Sequence, residues 1–221
     1  MRRLLFAQLT RDDFLRLIRF HDHGARQEPW DELAKGEVTE KEQAFIDYVL
    51  AGLQRISPTL VNEATVWGRA IFPLLWLAET EGVVAQADVP LVARIGDVEL
   101  AGSADGAFGT PIAGELSAPF LIVVEAKRGV EGYNPVMQLY GELLAAACLN
   151  ARETGEVSQR IYGCFTVAAT WTFVRADIAG LDGERPSFTV VSSSELSEKL
   201  EAATIVRILK SIVAQRRRGA A

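Results

Sequence analysis

The chain has 221 residues and a formal net charge of −6, and 49% of its residues are hydrophobic. This length and composition fit one globular domain and exclude a disordered or low-complexity protein. The apolar runs fall far short of the roughly 20 residues that a membrane-spanning helix needs, and the apolar segment near the start is too short for a signal peptide. We therefore expect a cytoplasmic protein that does not associate with a membrane.

Cysteine and histidine contribute little to a functional assignment. Cys148 and Cys164 lie in apolar surroundings without CxxC spacing, so we expect buried thiols and neither a disulfide framework nor a zinc site. His21 and His23 stand in a polar segment that offers no further metal ligands. We expect both histidines at the surface.

The first third of the chain has a helical pattern of apolar residues. This pattern covers residues 12–21 and 40–53, which are joined by a proline- and glycine-containing connection. Ser57 and Pro58 are typical of a helix start, and the apolar pattern then continues to residue 77. We assign residues 1–56 to a helical N-terminal extension and residues 57–221 to the main domain.

Strands and helices alternate in the rest of the chain. Alternating residues over 89–95 and 98–101 predict a hairpin that turns at Gly96 and Asp97. The apolar run over 120–124 is typical of a strand buried on both faces. The remaining predicted elements are a helix, three strands and a closing helix, at residues 137–149, 161–168, 171–174, 187–191 and 195–214. This order predicts an α/β fold in which helices flank a mixed β-sheet.

Asp105, Glu125 and Lys127 are the first candidates for chemistry. Asp105 lies in a Gly-Ser-Ala-Asp-Gly segment whose small residues let the backbone bend. Glu125 and Lys127 follow the buried strand two residues apart, so their side chains point to the same face. A charge buried there without a partner would be strongly unfavourable, so the pair is a functional site, a structural ion pair or two solvated charges at the end of the strand.

Two further residues complete an ordered series along the chain. Glu63 lies on an earlier predicted helix, and Gln138 lies on the helix that follows the Glu125-Ala126-Lys127 segment. Together with Asp105, this order resembles the PD-(D/E)XK nuclease superfamily, in particular its RecB-like branch and the nuclease domains of type I restriction enzymes. The resemblance covers residues 63–173.

The resemblance implies a restriction-endonuclease-like mixed β-sheet and hydrolysis of phosphodiester bonds in DNA, in restriction, repair or anti-phage defence. It also implies that Asp105, Glu125 and the Ala126 carbonyl hold Mg²⁺, for which Mn²⁺ would substitute. Glu63 would bind a second metal ion directly or through water. The negative net charge is compatible with this expectation, because bound cations offset a local acidic cluster.

The resemblance further assigns roles to the remaining site residues. Lys127 would orient or help deprotonate the attacking water, and Gln138 would orient that water or a phosphate. The sequence departs from the pattern at Ala104, which replaces the motif proline, and at Tyr140, which follows Gln138 more closely than the QxxxY spacing of the RecB-like branch.

Three classes of function stay open at this point. The first is an active nuclease, the second is a catalytically silent nuclease-fold module that assembles with a partner protein, and the third is a hydrolase that uses its carboxylates as acid and base. The residues do not distinguish DNA from RNA, and targeting would come from loops, the N-terminal region, a homodimer or a partner protein. Arg69, Arg128 and residues 216–218 are candidates for phosphate contacts.

Overall fold

The computed structural model describes the backbone of residues 2–127 and 135–219 and the side chains of residues 2–127 and 135–215. Its strands form one nine-stranded mixed sheet, with a hydrophobic core on each face. The predicted α/β architecture of a mixed sheet flanked by helices is therefore confirmed. Within the described ranges, no helix is both long enough and apolar enough to cross a membrane.

The strands are β1 Arg2–Leu5, β2 Arg19–Ala25, β3 Val84–Ile95, β4 Val98–Ile112, β5 Glu115–Lys127, β6 Ser158–Val167, β7 Thr170–Ala179, β8 Ser187–Ser192 and β9 Leu196–Ser197. The helices are α1 Arg11–Leu17, α2 Trp30–Leu33, α3 Glu40–Leu53, α4 Glu63–Val66, α5 Phe72–Trp76, α6 Pro135–Thr154 and α7 Glu198–Gly219. A 3-10 turn spans Phe6–Gln8, and a π-helical turn, Trp67–Ile71, joins α4 to α5.

The long strand β4 organises the sheet. β3 pairs with one edge of β4 through the predicted hairpin, and β1 and β5 pair with opposite ends of the other edge. α6 then leads from β5 to β6, which pairs with β5 in parallel. β7 and β8 continue the sheet in antiparallel fashion, and β2 closes it in parallel with β8. The C-terminal end of β5 consequently lies near the middle of the sheet.

The first 56 residues differ from the predicted helical extension. α3 has the predicted bounds, but the predicted helix over 12–21 ends at Leu17, and residues 19–25 form β2. Both β1 and β2 belong to the main sheet, where their partners β4 and β8 are distant in the sequence. Local periodicity does not report such pairing, because the stability of a strand depends on its neighbours in the sheet.

Phe6 fixes the N-terminal segment to the sheet. Its side chain is 1% exposed and packs against two glycines, Gly102 on β4 and Gly141 on α6. A Cβ atom at Gly102 would lie 2.6 Å from the Phe6 ring, and one at Gly141 would lie 3.1 Å from it. The two glycines therefore form the space that the ring fills.

The cysteines and histidines lie where the sequence predicts. Cys148 and Cys164 are buried and unpaired, and burial raises the pKa of both thiols, that of Cys148 to about 11. Both thiols therefore stay protonated at neutral pH. His21 and His23 are exposed.

A buried carboxylate begins α7. Glu198 is 0% exposed, and its Oε2 accepts a hydrogen bond from Nε1 of Trp171 at 2.9 Å. Its Oε1 has no hydrogen-bond partner among the described residues. Burial raises the pKa of Glu198 to about 7, with the Trp171 hydrogen bond acting in the opposite direction.

We expect Phe6→Ala to lower the free energy of unfolding by about 3–5 kcal/mol, the usual range for truncation of a buried phenylalanine. Denaturant unfolding followed by circular dichroism measures this loss. Leu60→Ala is the control, because this side chain is 82% exposed and its truncation should change the stability by less than about 0.5 kcal/mol. A Phe6→Ala variant as stable as the parent would show that the N-terminal segment lies outside the cooperative core.

Glu198→Gln should make the protein more stable at pH 8 than the parent, but not at pH 4. Because the pKa of Glu198 is raised in the folded state, folding takes up a proton between pH 4.5 and about pH 7, and the stability falls as the pH rises through that window. The variant lacks this fall, so the difference in unfolding free energy should grow by up to about 3 kcal/mol. Exposed Glu195→Gln is the control, and a flat difference for Glu198→Gln would contradict the expectation.

Candidate active site

Three acidic residues stand side by side where β3, β4 and β5 meet. The β3–β4 register places Asp88 opposite Asp105, and the β4–β5 register extends to place Glu125 on the other side of Asp105. Asp105 also bonds directly to β5, because its Oδ2 accepts a hydrogen bond from the backbone N–H of Ala126 at 2.7 Å. The pairing of the strands therefore concentrates negative charge at one end of the sheet.

Glu125 is fully buried, and Lys127 and Gln138 hold its two oxygens. Nζ of Lys127 lies 2.5 Å from Oε1 of Glu125, as the two-residue spacing on a strand predicts. This ion pair opposes the rise in the pKa of Glu125. Gln138 on α6 donates from Nε2 to Oε2 of Glu125 at 2.8 Å.

Glu142 extends this network and was not identified from the sequence. It lies one helical turn after Gln138 and is fully buried, and its Oε1 accepts from Nε2 of the same glutamine at 3.1 Å. Burial, together with the charge of Glu125, raises the pKa of Glu142 well above its usual range. Glu142 therefore favours the protonated form more than an exposed glutamate does. In the sequence, Glu142 is recognisable as the one charged residue in the stretch 139–149, four residues after Gln138.

The surroundings change the pKa values of Asp105, Glu125 and Lys127. Burial and the charge of Asp105 raise the pKa of Glu125 to about 7, although Lys127 opposes the change. Burial also raises the pKa of Asp105, against the effects of the Ala126 N–H and of Lys127. Burial disfavours the charged form of Lys127, but the contact with Glu125 outweighs it and raises the pKa. The single positive charge of Lys127 therefore does not neutralise the negative charge of the neighbouring carboxylates.

A cleft of about 310 Å³ opens beside Asp88, Asp105 and Glu125, the three residues that we call the acidic row. Its lining includes Glu63, Trp67, Asp88, Asp105 and Ala126. Glu63 and Asp88 are exposed in it, and their charges raise the pKa of Asp105. Asp88 has a left-handed backbone with φ of 52°, which aspartate tolerates better than most residues. The sequence did not indicate Asp88, because only the pairing of β3 with β4 brings it opposite Asp105.

A different helix start from the predicted one positions Glu63. α4 begins at Glu63 instead of after Ser57, because Asn62 caps it and accepts a hydrogen bond from the Thr65 N–H at 2.8 Å. The π-helical turn and Pro73 then divide the long helix that the apolar pattern predicted. Glu63 consequently faces the cleft from the first turn of a short helix.

The structure brings the other predicted site residues together and separates Tyr140 from them. Asp105, Glu125, Lys127 and Gln138 form one connected group, as described above. Tyr140 instead packs against an aromatic cluster formed by Phe14, Phe20 and Phe188. Arg128, most of the predicted turn at 129–135 and the side chains of residues 216–218 lie outside the described residues.

The donor atoms of the acidic row suit a hard cation. Within residues 2–127 and 135–219, no three Asp, Glu, His or Cys side chains are arranged to hold a metal ion by themselves. Mg²⁺, however, commonly takes one or two protein carboxylates and completes its shell with water and substrate phosphate oxygens. Asp105 and Glu125 fit this mode, because the β4–β5 register places them side by side and the pKa of each is raised.

No protein-family model matches the chain, and no curated protein is significantly similar to it. The geometry described above therefore provides the argument for function.

Lys127→Met should destabilise the fold much more at pH 8.5 than at pH 5. The substitution removes the ion-pair partner of a buried carboxylate, and above the parent's pKa of about 7 for Glu125 the loss should grow by about 1.4 kcal/mol per pH unit, to about 2 kcal/mol at pH 8.5. The pKa of Glu125 should rise further in the variant, so stability is lost as the pH rises from 4.5 through that higher pKa. At pH 5 Glu125 is protonated in both proteins, and the loss should be small. Urea unfolding across this pH range measures the difference.

The double variant Glu125→Gln/Lys127→Met is the control for this cycle. Compared with Glu125→Gln alone, the double variant should show a loss that does not depend on pH, because no carboxyl group at position 125 is left to titrate. A loss from Lys127→Met that is equal at pH 5 and pH 8.5 would show that packing of the lysine stem, and not its charge, stabilises the site.

Proposed function

We propose that the chain is a Mg²⁺-dependent nuclease of the PD-(D/E)XK type that hydrolyses phosphodiester bonds in DNA, with Mn²⁺ able to replace Mg²⁺. The contact network of Asp105, Glu125, Lys127 and Gln138 at the end of β5 carries this proposal. The glutamate helix, the strand aspartate, the ExK strand end and the glutamine helix are neighbours in space as well as ordered in sequence. This agreement supports a restriction-endonuclease-like arrangement of the sheet.

In this proposal, Asp105, Glu125 and the Ala126 carbonyl hold the metal ion. When bound, Mg²⁺ supplies positive charge that polarises the phosphate and lowers the pKa of the attacking water. The raised pKa of Lys127 keeps its side chain as an ammonium group at neutral pH. Lys127 therefore acts as a hydrogen-bond donor that orients the water and offsets charge developing on the phosphate, and not as a general base.

Gln138 acts in this proposal as a positioning residue. Its Nε2 bonds to Oε2 of Glu125 and to Oε1 of Glu142, so the amide fixes the rotamer of Glu125 from α6. This arrangement leaves Oε1 of Glu125 to Lys127 and the cation. It supports a role for Gln138 that differs from the predicted contact with water or phosphate.

Glu63 and Asp88 add carboxylates on the open side of the cleft. Both line the same cleft as Asp105 and are exposed, so they are accessible to a second hydrated cation. Without cations, four acidic residues in and beside the cleft, Glu63, Asp88, Asp105 and Glu125, would repel a phosphate backbone. A substrate phosphate therefore enters the cleft only when a metal ion is bound there.

Metal-dependent cleavage is the test of this proposal. Supercoiled plasmid and linear single-stranded DNA are incubated with Mg²⁺, Mn²⁺ or EDTA and analysed on gels. We expect cleavage only with a metal ion, and we expect Asp105→Asn and Lys127→Met each to reduce the rate by about 100-fold or more. Glu156→Gln, at an exposed carboxylate, is the control and should cut like the parent.

Mn²⁺ binding, followed by electron paramagnetic resonance, separates this proposal from its alternatives. Asp105→Asn should lose binding, whereas Lys127→Met should retain it. A catalytically silent nuclease-fold module that works with a partner protein would cut neither of the two DNA substrates. A parent protein that does not bind Mn²⁺ would favour this alternative. Cleavage that persists in EDTA would instead favour a hydrolase that uses Glu125 and Glu142 as base and acid.

A further inference from the structure

A second cavity, of about 480 Å³, lies between α3 and the π-helical turn. Five of its lining residues define what we call the α3 groove: Tyr48, Gly52, Arg55, Gly68 and Arg69. The residues that line this cavity include no aspartate or glutamate. The two arginines therefore give this mainly apolar cavity a positive charge in a protein whose net charge is −6.

The two arginines are available for an anionic ligand. Arg55 and Arg69 are exposed, and neither forms an ion pair with any residue in the described part of the chain. Guanidinium groups bind phosphate through several parallel hydrogen bonds. Two unpaired arginines without a neighbouring carboxylate in the cavity lining favour a ligand that carries more than one phosphate.

Tyr48 adds a flat apolar surface beside these charges. Its side chain is 79% exposed, Tyr48 and Gly52 are four residues apart on one face of α3, and Arg55 lies in the turn that follows this helix. No atom lies within 4 Å of a Cβ built at Gly52 or at Gly68, so the space between the arginines and the ring is open. An exposed ring next to phosphate-binding cations is typical of surfaces on which unpaired bases stack.

The α3 groove adjoins the cleft of the candidate active site. Glu63 and Trp67 line the cleft, whereas Gly68 and Arg69 line the groove. Trp67 and Gly68 are consecutive residues, whose Cα atoms are about 3.8 Å apart. The cleft and the groove therefore border the same helical turn.

We infer that the α3 groove binds a single-stranded segment of nucleic acid next to the bond that is cut, with Arg55 and Arg69 on phosphates and Tyr48 stacked on an unpaired base. The inference deepens the proposed function and rests on it. It assigns the substrate class as nucleic acid that is single-stranded beside the cleavage point.

Fluorescence anisotropy with a labelled 15-nucleotide DNA, in EDTA and over a range of salt concentrations, tests this inference without cleavage. The double variant Arg55→Ala/Arg69→Ala should reduce the slope of log K against log salt by about 1.4, the value for two lost contacts to single-stranded phosphates. Arg152→Ala/Lys199→Ala removes two exposed cations elsewhere and should leave the slope nearly unchanged. Equal effects of the two double variants would overturn the assignment of the groove.

Substitutions at Tyr48 test the stacking contact. Tyr48→Ala should weaken binding by about 5- to 100-fold, whereas Tyr48→Phe, which keeps the ring, should bind like the parent. A blunt-ended duplex of the same sequence should be bound more weakly and should not respond to Tyr48→Ala. Equal affinity for duplex and single strand, with no effect of Tyr48→Ala, would contradict a single-strand site.

Gly68→Glu provides a gain-of-charge variant that the fold should tolerate, because a Cβ at this position meets no neighbouring atom. It should weaken binding at least 10-fold, and Gly68→Gln, of the same shape, should weaken it much less. If the parent cuts DNA but none of the groove variants alters binding, the groove inference fails and the nuclease proposal stands. If the groove variants behave as expected but nothing is cut, the nuclease proposal fails instead. No binding by the parent at 50 mM salt would also overturn the inference.

Discussion

The buried carboxylate of Glu125 interacts with residues from three elements, β4, β5 and α6. A charge at this depth is strongly disfavoured without partners, and its partners come from β5 and α6. Lys127 supplies the counter-charge, Gln138 supplies the hydrogen bond, and Asp105 on β4 works against both by adding a second negative charge. A shift of α6 along the sheet would remove the hydrogen bond from Gln138 to Oε2 of Glu125. The polar network therefore sets the register of the helix more strictly than apolar packing alone.

A network of this kind can be structural or functional, and the exposed carboxylates Glu63 and Asp88 in the cleft distinguish the two. A structural ion pair needs only Glu125, Lys127 and the amide of Gln138. Nothing in such a role requires Asp88 and Glu63, which add exposed negative charge next to a carboxylate that is already destabilised. Charged groups placed against one another beside a cleft are characteristic of sites where a ligand supplies the missing charge.

The sequence predicts most of what is periodic or local. The bounds of α3, the turn of the β3–β4 hairpin and the shared direction of Glu125 and Lys127 follow from spacings of a few residues. β1 and β2 were missed because their stability comes from pairing with β4 and β8, which are distant along the chain. Asp88 was missed for the same reason, while Glu142 was visible as the one charged residue in the stretch 139–149.

The distribution of charge resolves the conflict between a net charge of −6 and a nucleic acid substrate. In the proposed arrangement, one short turn separates an acidic cleft, which attracts cations, from a groove with unpaired arginines, which attracts phosphates. Binding in the groove should weaken with salt, whereas entry to the cleft should depend on divalent cations. Because the same turn borders both surfaces, a strand held by the arginines reaches the carboxylates only where cations have neutralised them. Local separation of charge, and not the net charge, therefore determines whether this protein can act on a polyanion.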